Sequence, residues 1–132
     1  MLPGTRREAR ERALELLYEA EAKGVVPADV LLDLTISPDP FAVELVEGVS
    51  AGLAEIDSRI EALAREWTVA RMPWVDRNIL RLGAYELLAR DDIPVAVVIN
   101  EAVDLAKRFS TEEAGRFVNG VLSALAKDAR TA

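Results

Sequence analysis

The sequence predicts an all-α fold. Three observations carry this: apolar residues recur at helical spacing along most of the chain, Pro and Gly punctuate it into six segments, and two Ser/Thr-x-x-Glu signatures stand where helices should open. At 132 residues, 51% apolar, the chain is long enough to form one domain around a core without staples.

Thr5-Arg6-Arg7-Glu8 reads as a capping box opening the first helix, and Ala9, Ala13, Leu16, Leu17 and Ala20 form its apolar stripe. Gly24 closes it. Residues 27–34 suit a short second helix. Asp39 as N-cap and Pro40 at the first helical position restart the chain after Ser37-Pro38. A third helix is expected over 40–67, with Phe41, Leu45, Val49, Leu53, Ile56, Ile60, Leu63 and Ala64 inward. Gly48 and Gly52 share one face of it, and close helix packing is the expected compensation for their poor helix propensity.

A fourth helix is expected over 73–89, with Val75, Ile79, Leu82, Gly83 and Leu87 inward, and Asp91-Asp92 make the turn after it. Residues 93–99 are rich in β-branched side chains and suit a strand equally well. We assign helix, because Val95, Val98, Ile99, Ala102, Val103 and Ala106 continue one 3.6-residue stripe, and a lone strand would lack a partner. Ser110-Thr111-Glu112-Glu113 reads as a second capping box, opening a last helix with Ala114, Val118, Val121, Leu122 and Leu125 inward. Asn119-Gly120 falls inside that helix, where tight packing is the expected reason for the glycine and a ligand surface the alternative.

Composition removes whole classes of chemistry. With no Cys and no His there are no disulfides, no thiolate or imidazole metal sites and no Ser–His or Cys–His catalysis. No Gly-rich phosphate loop and no EF-hand spacing occur. The expectation is a protein without cofactor or metal that binds rather than catalyses. No apolar run approaches the roughly 18 residues of a membrane span, and the N-terminal residues lack a signal-like apolar region, so a cytoplasmic location is expected.

The net charge of −7 is unevenly spread. Residues 1–25 and 67–132 are each balanced, so the whole excess lies in 26–66. Arg6, Arg7, Arg10 and Arg12 crowd the start of the first helix. On a helical wheel Arg6, Arg7 and Arg10 fall on one flank of the apolar stripe. Arg12 falls on the other, four residues after Glu8, where it is expected to be neutralised. Cations at a helix N-terminus oppose the macrodipole by roughly 0.3–1 kcal/mol each, a sign that a bound anion reverses. Either a solvated charged face or a phosphate site satisfies this pattern. Aromatics are few. Phe117 lies at the edge of its stripe, Trp67 ends the third helix, and Lys107-Arg108-Phe109 sets charge beside a ring; each is a base-stacking candidate or the margin of a core.

Three blocks carry a family resemblance: Arg6-Arg7-x-Ala9-Arg10-x-x-Ala13-x-x-x-Leu17-Tyr18; Ile79-Leu80-Arg81-Leu82-Gly83-Ala84-Tyr85-Glu86-Leu87; and Ile93-Pro94 with Ile99-Asn100-Glu101-Ala102-Val103-Asp104-Leu105-Ala106-Lys107 and Phe117-Val118-Asn119-Gly120-Val121-Leu122. In this order and at these separations they resemble the NusB family of transcription antitermination factors, over nearly the full chain.

The resemblance implies a compact bundle of about six to seven helices in two packed helical subdomains, and one RNA-binding domain over 1–132. It implies binding to boxA, a short single-stranded RNA element of ribosomal leader transcripts. NusE, a protein of the small ribosomal subunit, is the implied co-binder, and an RNA polymerase-associated antitermination complex the destination. Arg6, Arg7 and Arg10 match the family's RNA-contacting arginines, Phe117 its aromatic at the RNA surface, and Trp67 a second aromatic nearby. Lys107 and Phe109 join the expected RNA-facing set from the charge set beside a ring, not from the resemblance. The region around Arg81 to Glu86 matches the family's NusE surface.

Glu8 and Glu11 interrupt the basic run, and the chain is acidic. Both features imply modest RNA affinity alone and a shallow salt slope, roughly −0.7 per contacted phosphate. A related helical domain precedes the catalytic domain of some ribosomal RNA cytosine methyltransferases, but this chain has no cysteine nucleophile and no cofactor loop. A protein-binding adaptor, or a homodimer whose interface covers the arginines, is the alternative that the sequence leaves open.

Overall fold

The computed structural model describes residues 5–65 and 67–130, and among these it contains six α-helices, two 3-10 segments and no strand. The helices are α1 (Arg6–Lys23), α2 (Pro40–Ala51), α3 (Leu53–Ala64), α4 (Trp74–Ala89), α5 (Val95–Phe109) and α6 (Glu112–Ala129). The 3-10 segments are Pro27–Asp33 and Val69–Arg71.

Side-chain caps open three of the six helices. The Thr5 hydroxyl accepts from the Glu8 backbone N–H, and Gly24 closes α1 with a left-handed φ of 68° that favours glycine. The Asp39 carboxylate accepts from Phe41 N–H ahead of Pro40. Thr111 caps α6 by accepting from Ala114 N–H. The cap is therefore one residue later than a box built on Ser110 requires, and the third helical residue is alanine, so the motif there is a single-sided cap. Residues 95–109 form one helix, with Pro94 just before it.

The helix expected over 40–67 is two helices, broken at Gly52 (φ −106°, ψ 17°). Both halves pack on α4, but their other neighbours differ: α2 packs on α1 and the first 3-10 segment, whereas α3 packs on α6. A straight helix cannot reach both, and glycine, with its low helix propensity, supplies the break. A Cβ at Gly52 meets only ordinary van der Waals neighbours, so close packing is not its role. Gly48 does serve close packing, because a Cβ there runs into the Tyr85 ring. At the far end α3 stops at Ala64, and Arg65 turns the chain with φ 59°, leaving Trp67 in the connection to α4.

α4 is the hub. It packs against all five other helices and buries Ile79, Leu80, Leu82, Gly83, Ala84 and Leu87. On one side α1, the first 3-10 segment and α2 form one helical subdomain; on the other, α3, α5 and α6 form the second. Gly83 allows α6 to come close: a Cβ there stands 2.6 Å from Leu122 Cδ1 of α6. The end of α4 is closed by Arg130, whose guanidinium donates to the carbonyls of Glu86, Leu87, Arg90 and Ile93 at 2.6–3.0 Å. A cation at a helix C-terminus has the favourable sign for the macrodipole. No described helix is long and apolar enough to cross a membrane.

Between the subdomains, Glu21 of α1 binds Arg77, Asn78 and Arg81 of α4, and Arg81 also grips Asp57 of α3. Burial alone pushes the Glu21 carboxyl up, but the hydrogen bond and charge of Arg77, joined by Asn78 and Arg81, outweigh it and hold the group below its ordinary 4.5. A depressed carboxyl stabilises the fold above its ordinary pKa and loses that contribution as pH falls through the lowered value. Glu21→Gln should therefore flatten the acid side of a stability-versus-pH curve below about pH 4.5, measured by urea unfolding at several pH values. Gly120 offers the opposite test. Its expected tight packing is absent: it is exposed, and a Cβ meets nothing within 4 Å. Gly120→Ala should stabilise by about 0.5–1 kcal/mol, whereas Gly83→Ala should cost about 1–3 kcal/mol by overpacking, both read by chemical denaturation.

Candidate RNA-binding surface

The first turns of α1 present Arg6 and Arg7 to solvent but bury Arg10, which is only 4% exposed. This corrects the wheel reading that put all three on one open flank. The Arg10 guanidinium donates two hydrogen bonds to the buried Glu86 carboxylate of α4, at 2.9 and 2.7 Å. It lies 3.7 Å from Glu101 of α5. A helical wheel shows only direction; the countercharge that permits burial comes from 76 residues away in sequence. Arg10 therefore holds α1 on α4 and sets the direction in which Arg6 and Arg7 project.

Three guanidinium groups surround the Phe41 ring, those of Arg6, Arg10 and Arg90, 5.1–5.5 Å from its centroid. Arg90 also binds Glu44 and Asp92, and its hydrogen bond holds the Asp92 carboxyl down to about 2. Burial first, then the hydrogen bond to Glu44, pushes the Tyr85 hydroxyl up to about 12. Arg7 reaches the other way, to Glu101 at 3.1 Å. Glu11 of α1 pairs with Arg108 of α5. Arg12 pairs with Glu15 at 3.1 Å, so it is neutralised as expected, but by a different carboxylate than Glu8.

The aromatic candidates follow from there. Phe109, 51% exposed, lies under the Arg108 guanidinium at the end of α5. It shares an apolar pocket with Leu14, Tyr18, Trp74 and Val75. Tyr18 and Trp74 are stacked there, with centroids 3.9 Å apart and planes 17° from parallel. Trp67, 49% exposed, and half-buried Phe117 line a neighbouring pocket with Met72, Pro73 and Thr111. Lys107 is exposed, its stem lies beside Gly115, and its ammonium stands 3.9 Å from Glu112.

The sequence reading missed the Tyr18–Trp74 stack and the pairing of Arg7 and Arg108 with carboxylates. The stack had one signal available, two of the chain's seven aromatics at helix positions off the buried stripe. The pairings join residues 94 and 97 apart and had none. The Arg81 to Glu86 stretch splits: Arg81 faces the Glu21 network, Tyr85 faces Glu44, and Glu86 is buried under Arg10.

The arrangement is a track. Guanidinium groups at the start of α1 suit phosphates, and the rings that follow along the end of α5 and the starts of α4 and α6 suit bases. Among the described residues no group of three or more Asp or Glu is arranged to hold a metal ion.

A family model described as the NusB family matches residues 7–127. The transcription antitermination protein NusB of Acidothermus cellulolyticus is 52% identical over 124 residues, covering 91% of this chain and 86% of that one. The solved NusB of T. maritima superposes with a TM-score of 0.88 at 33% identity, covering 98% and 96% of the two chains. A chain of a complex of antitermination factors NusB and NusE with dsRNA superposes with a TM-score of 0.75 at 35% identity, covering 93% and 96%.

The two classes of ion pair should separate on mutation. Glu86→Ala leaves a buried arginine without its countercharge and should cost about 3–5 kcal/mol. Glu15→Ala, which removes the partner of solvent-exposed Arg12, should cost under about 1 kcal/mol. Urea denaturation of both variants checks this.

Proposed function

The chain belongs to the NusB family, and on that premise we propose that it is an RNA-binding transcription antitermination factor of the cytoplasm. It binds the boxA element of ribosomal leader transcripts, takes NusE as co-binder and joins an antitermination complex on RNA polymerase. The whole chain acts as one RNA-binding domain. It performs no catalysis and uses no cofactor.

The observation that carries this reading is the track itself. Exposed Arg6 and Arg7 stand at one end, and exposed Phe109, Tyr18, Trp74 and Trp67, with half-buried Phe117, lead away from them. Single-stranded RNA is bound by this combination: cations position the phosphates, and unstacked bases lie on rings at roughly 1–3 kcal/mol each. Lys107 and Arg108 flank the same run. Arg10 contributes by holding Arg6 and Arg7 in place.

Exposed Arg7 and Arg108 are already paired with Glu101 and Glu11. A phosphate must displace those carboxylates, which keeps the affinity of the protein alone modest. NusE supplies the remainder.

Fluorescence anisotropy of a labelled boxA RNA beside a scrambled RNA, with and without NusE, tests the proposal. We expect boxA to be preferred, and more so with NusE. Arg6→Ala/Arg7→Ala should weaken binding about tenfold or more and flatten the salt slope by roughly 0.7 per phosphate contact removed. Glu101→Gln should tighten it. Equal binding of boxA and scrambled RNA in the presence of NusE refutes the proposal; the adaptor or homodimer reading then takes its place, with light scattering as the next measurement.

A further inference from the structure

The 3-10 segment Pro27–Asp33 and the chain leading from it to α2 carry a surface that RNA binding leaves unused. Residues three apart eclipse in a 3-10 helix, so Leu31 and Leu34 share one side and pack on the core, beside buried Val30. Leu32 and Ile36 stay outside. At 81% and 82% they are the most exposed large apolar side chains among the described residues. Val26, also exposed, precedes the segment. Directly after Ile36 the surface opens into a groove of about 650 Å³, lined by Ser37, Pro38, Pro40, Val43, Glu47 and the Tyr85 ring, among others. A single exposed leucine is ordinary; exposed apolar side chains that lead into a groove mark an interaction surface.

We propose that this surface docks a basic, amphipathic segment of another protein, with apolar side chains on Leu32, Ile36 and the groove and Lys or Arg side chains on the carboxylates around them. Charge complementarity selects that occupant. Asp29 lies three residues before Leu32, on the same side of the 3-10 segment, and Asp33 follows Leu32. Glu47 lines the groove. All three are exposed, and none makes an ion pair among the described residues. Other carboxylates of the same stretch are already taken: Glu44 by Arg90, Asp57 by Arg81 and Glu55 by Arg59. Arg59 is the one basic residue from 26 to 64, so the stretch cannot neutralise itself.

The same charge disfavours other occupants. It repels a nucleic-acid backbone and an anionic membrane surface alike. A second copy related by a two-fold axis places this patch against itself, so Asp29, Asp33 and Glu47 face like charges. A segment bearing Lys or Arg gains twice: its apolar side chains leave water, and its cations meet carboxylates that lack an internal partner. Pro38 and Pro40 offer no backbone N–H to the groove, so side chains hold the segment there rather than strand addition. The surface shares no residue with the track of arginines and rings, and the proposal is independent of RNA binding.

The probe is a labelled synthetic peptide of Lys and Leu at amphipathic helical spacing, titrated with the full chain by fluorescence anisotropy. Two peptides of equal length, one of Lys and Ser and one of Glu and Leu, separate charge from apolar contact. We expect the Lys–Leu peptide to bind about tenfold tighter than either, with amide NMR shifts concentrated in residues 26–47. Leu32→Ser/Ile36→Ser should weaken it about tenfold, and Asp29→Asn/Asp33→Asn/Glu47→Gln should remove most of its salt dependence. These positions are exposed, so both variants should melt like the wild type. Equal binding of the Lys–Ser peptide reduces the effect to diffuse charge and overturns the proposal, as does equal binding of the Glu–Leu peptide or indifference to Leu32→Ser/Ile36→Ser. If light scattering finds a dimer that Leu32→Ser/Ile36→Ser dissolves, a second copy covers the surface and the proposal falls. If that variant loses boxA RNA or NusE, the surface belongs to those interactions, and the proposal falls as well.

Discussion

The buried pair between Arg10 and Glu86 ties the start of α1 to the centre of α4, the helix on which every other helix packs. Both groups have left water almost completely, and such a pair holds only where its geometry is good and its partners are fixed. Here the guanidinium makes two short hydrogen bonds to the carboxylate and faces the Phe41 ring, and a second carboxylate, Glu101, stands nearby. The direction of α1 over the bundle follows from this contact. So does the projection of Arg6 and Arg7, which flank the anchored residue in sequence. The C-terminal end of α4 is secured separately by Arg130, whose fork donates to four carbonyls, two at the end of the helix and two in the turn after it. Glu86 is thus held from two sides, its side chain by Arg10 and its carbonyl by Arg130.

This arrangement divides the arginines by role. Arg10, Arg77, Arg81 and Arg130 are spent inside the molecule, on Glu86, Glu21, Asp57 and backbone carbonyls. Arg6, Arg7 and Arg108 remain at the surface, Arg7 against Glu101 and Arg108 against Glu11. An acidic chain is compatible with RNA binding for this reason: the net charge of −7 is set by residues 26–66, whereas the track runs over α1, α5 and the starts of α4 and α6. In the function proposed, pre-pairing lowers the gain from each phosphate contact and leaves a larger share of recognition to stacking.

Much of the fold was legible without coordinates. The Thr5 cap, the Gly24 stop, the Asp39-Pro40 start and the helical stripe through Val95 to Ala106 are local signals, and local signals were read correctly wherever propensity and periodicity agreed. The break at Gly52 was not legible as a break, because the apolar period runs on through it from Val49 to Ile56. What interrupts the helix there is that α2 and α3 have different neighbours. Arg10 went wrong for a related reason. Periodicity placed it on the correct side of α1, but its burial is decided by Glu86.

The sequence by itself determined the helical class, most helix boundaries, the exclusion of thiolate and imidazole chemistry, and the family, because these depend on residue types and spacings within a turn or two. Only the tertiary structure decided which arginines face solvent, that Tyr18 stacks on Trp74, and that Asp76 sits unpaired beside Trp67 and Phe117. Each of these depends on groups brought together from distant parts of the chain. The free energy of a charge or a ring is set by what surrounds it, and no local pattern encodes those surroundings.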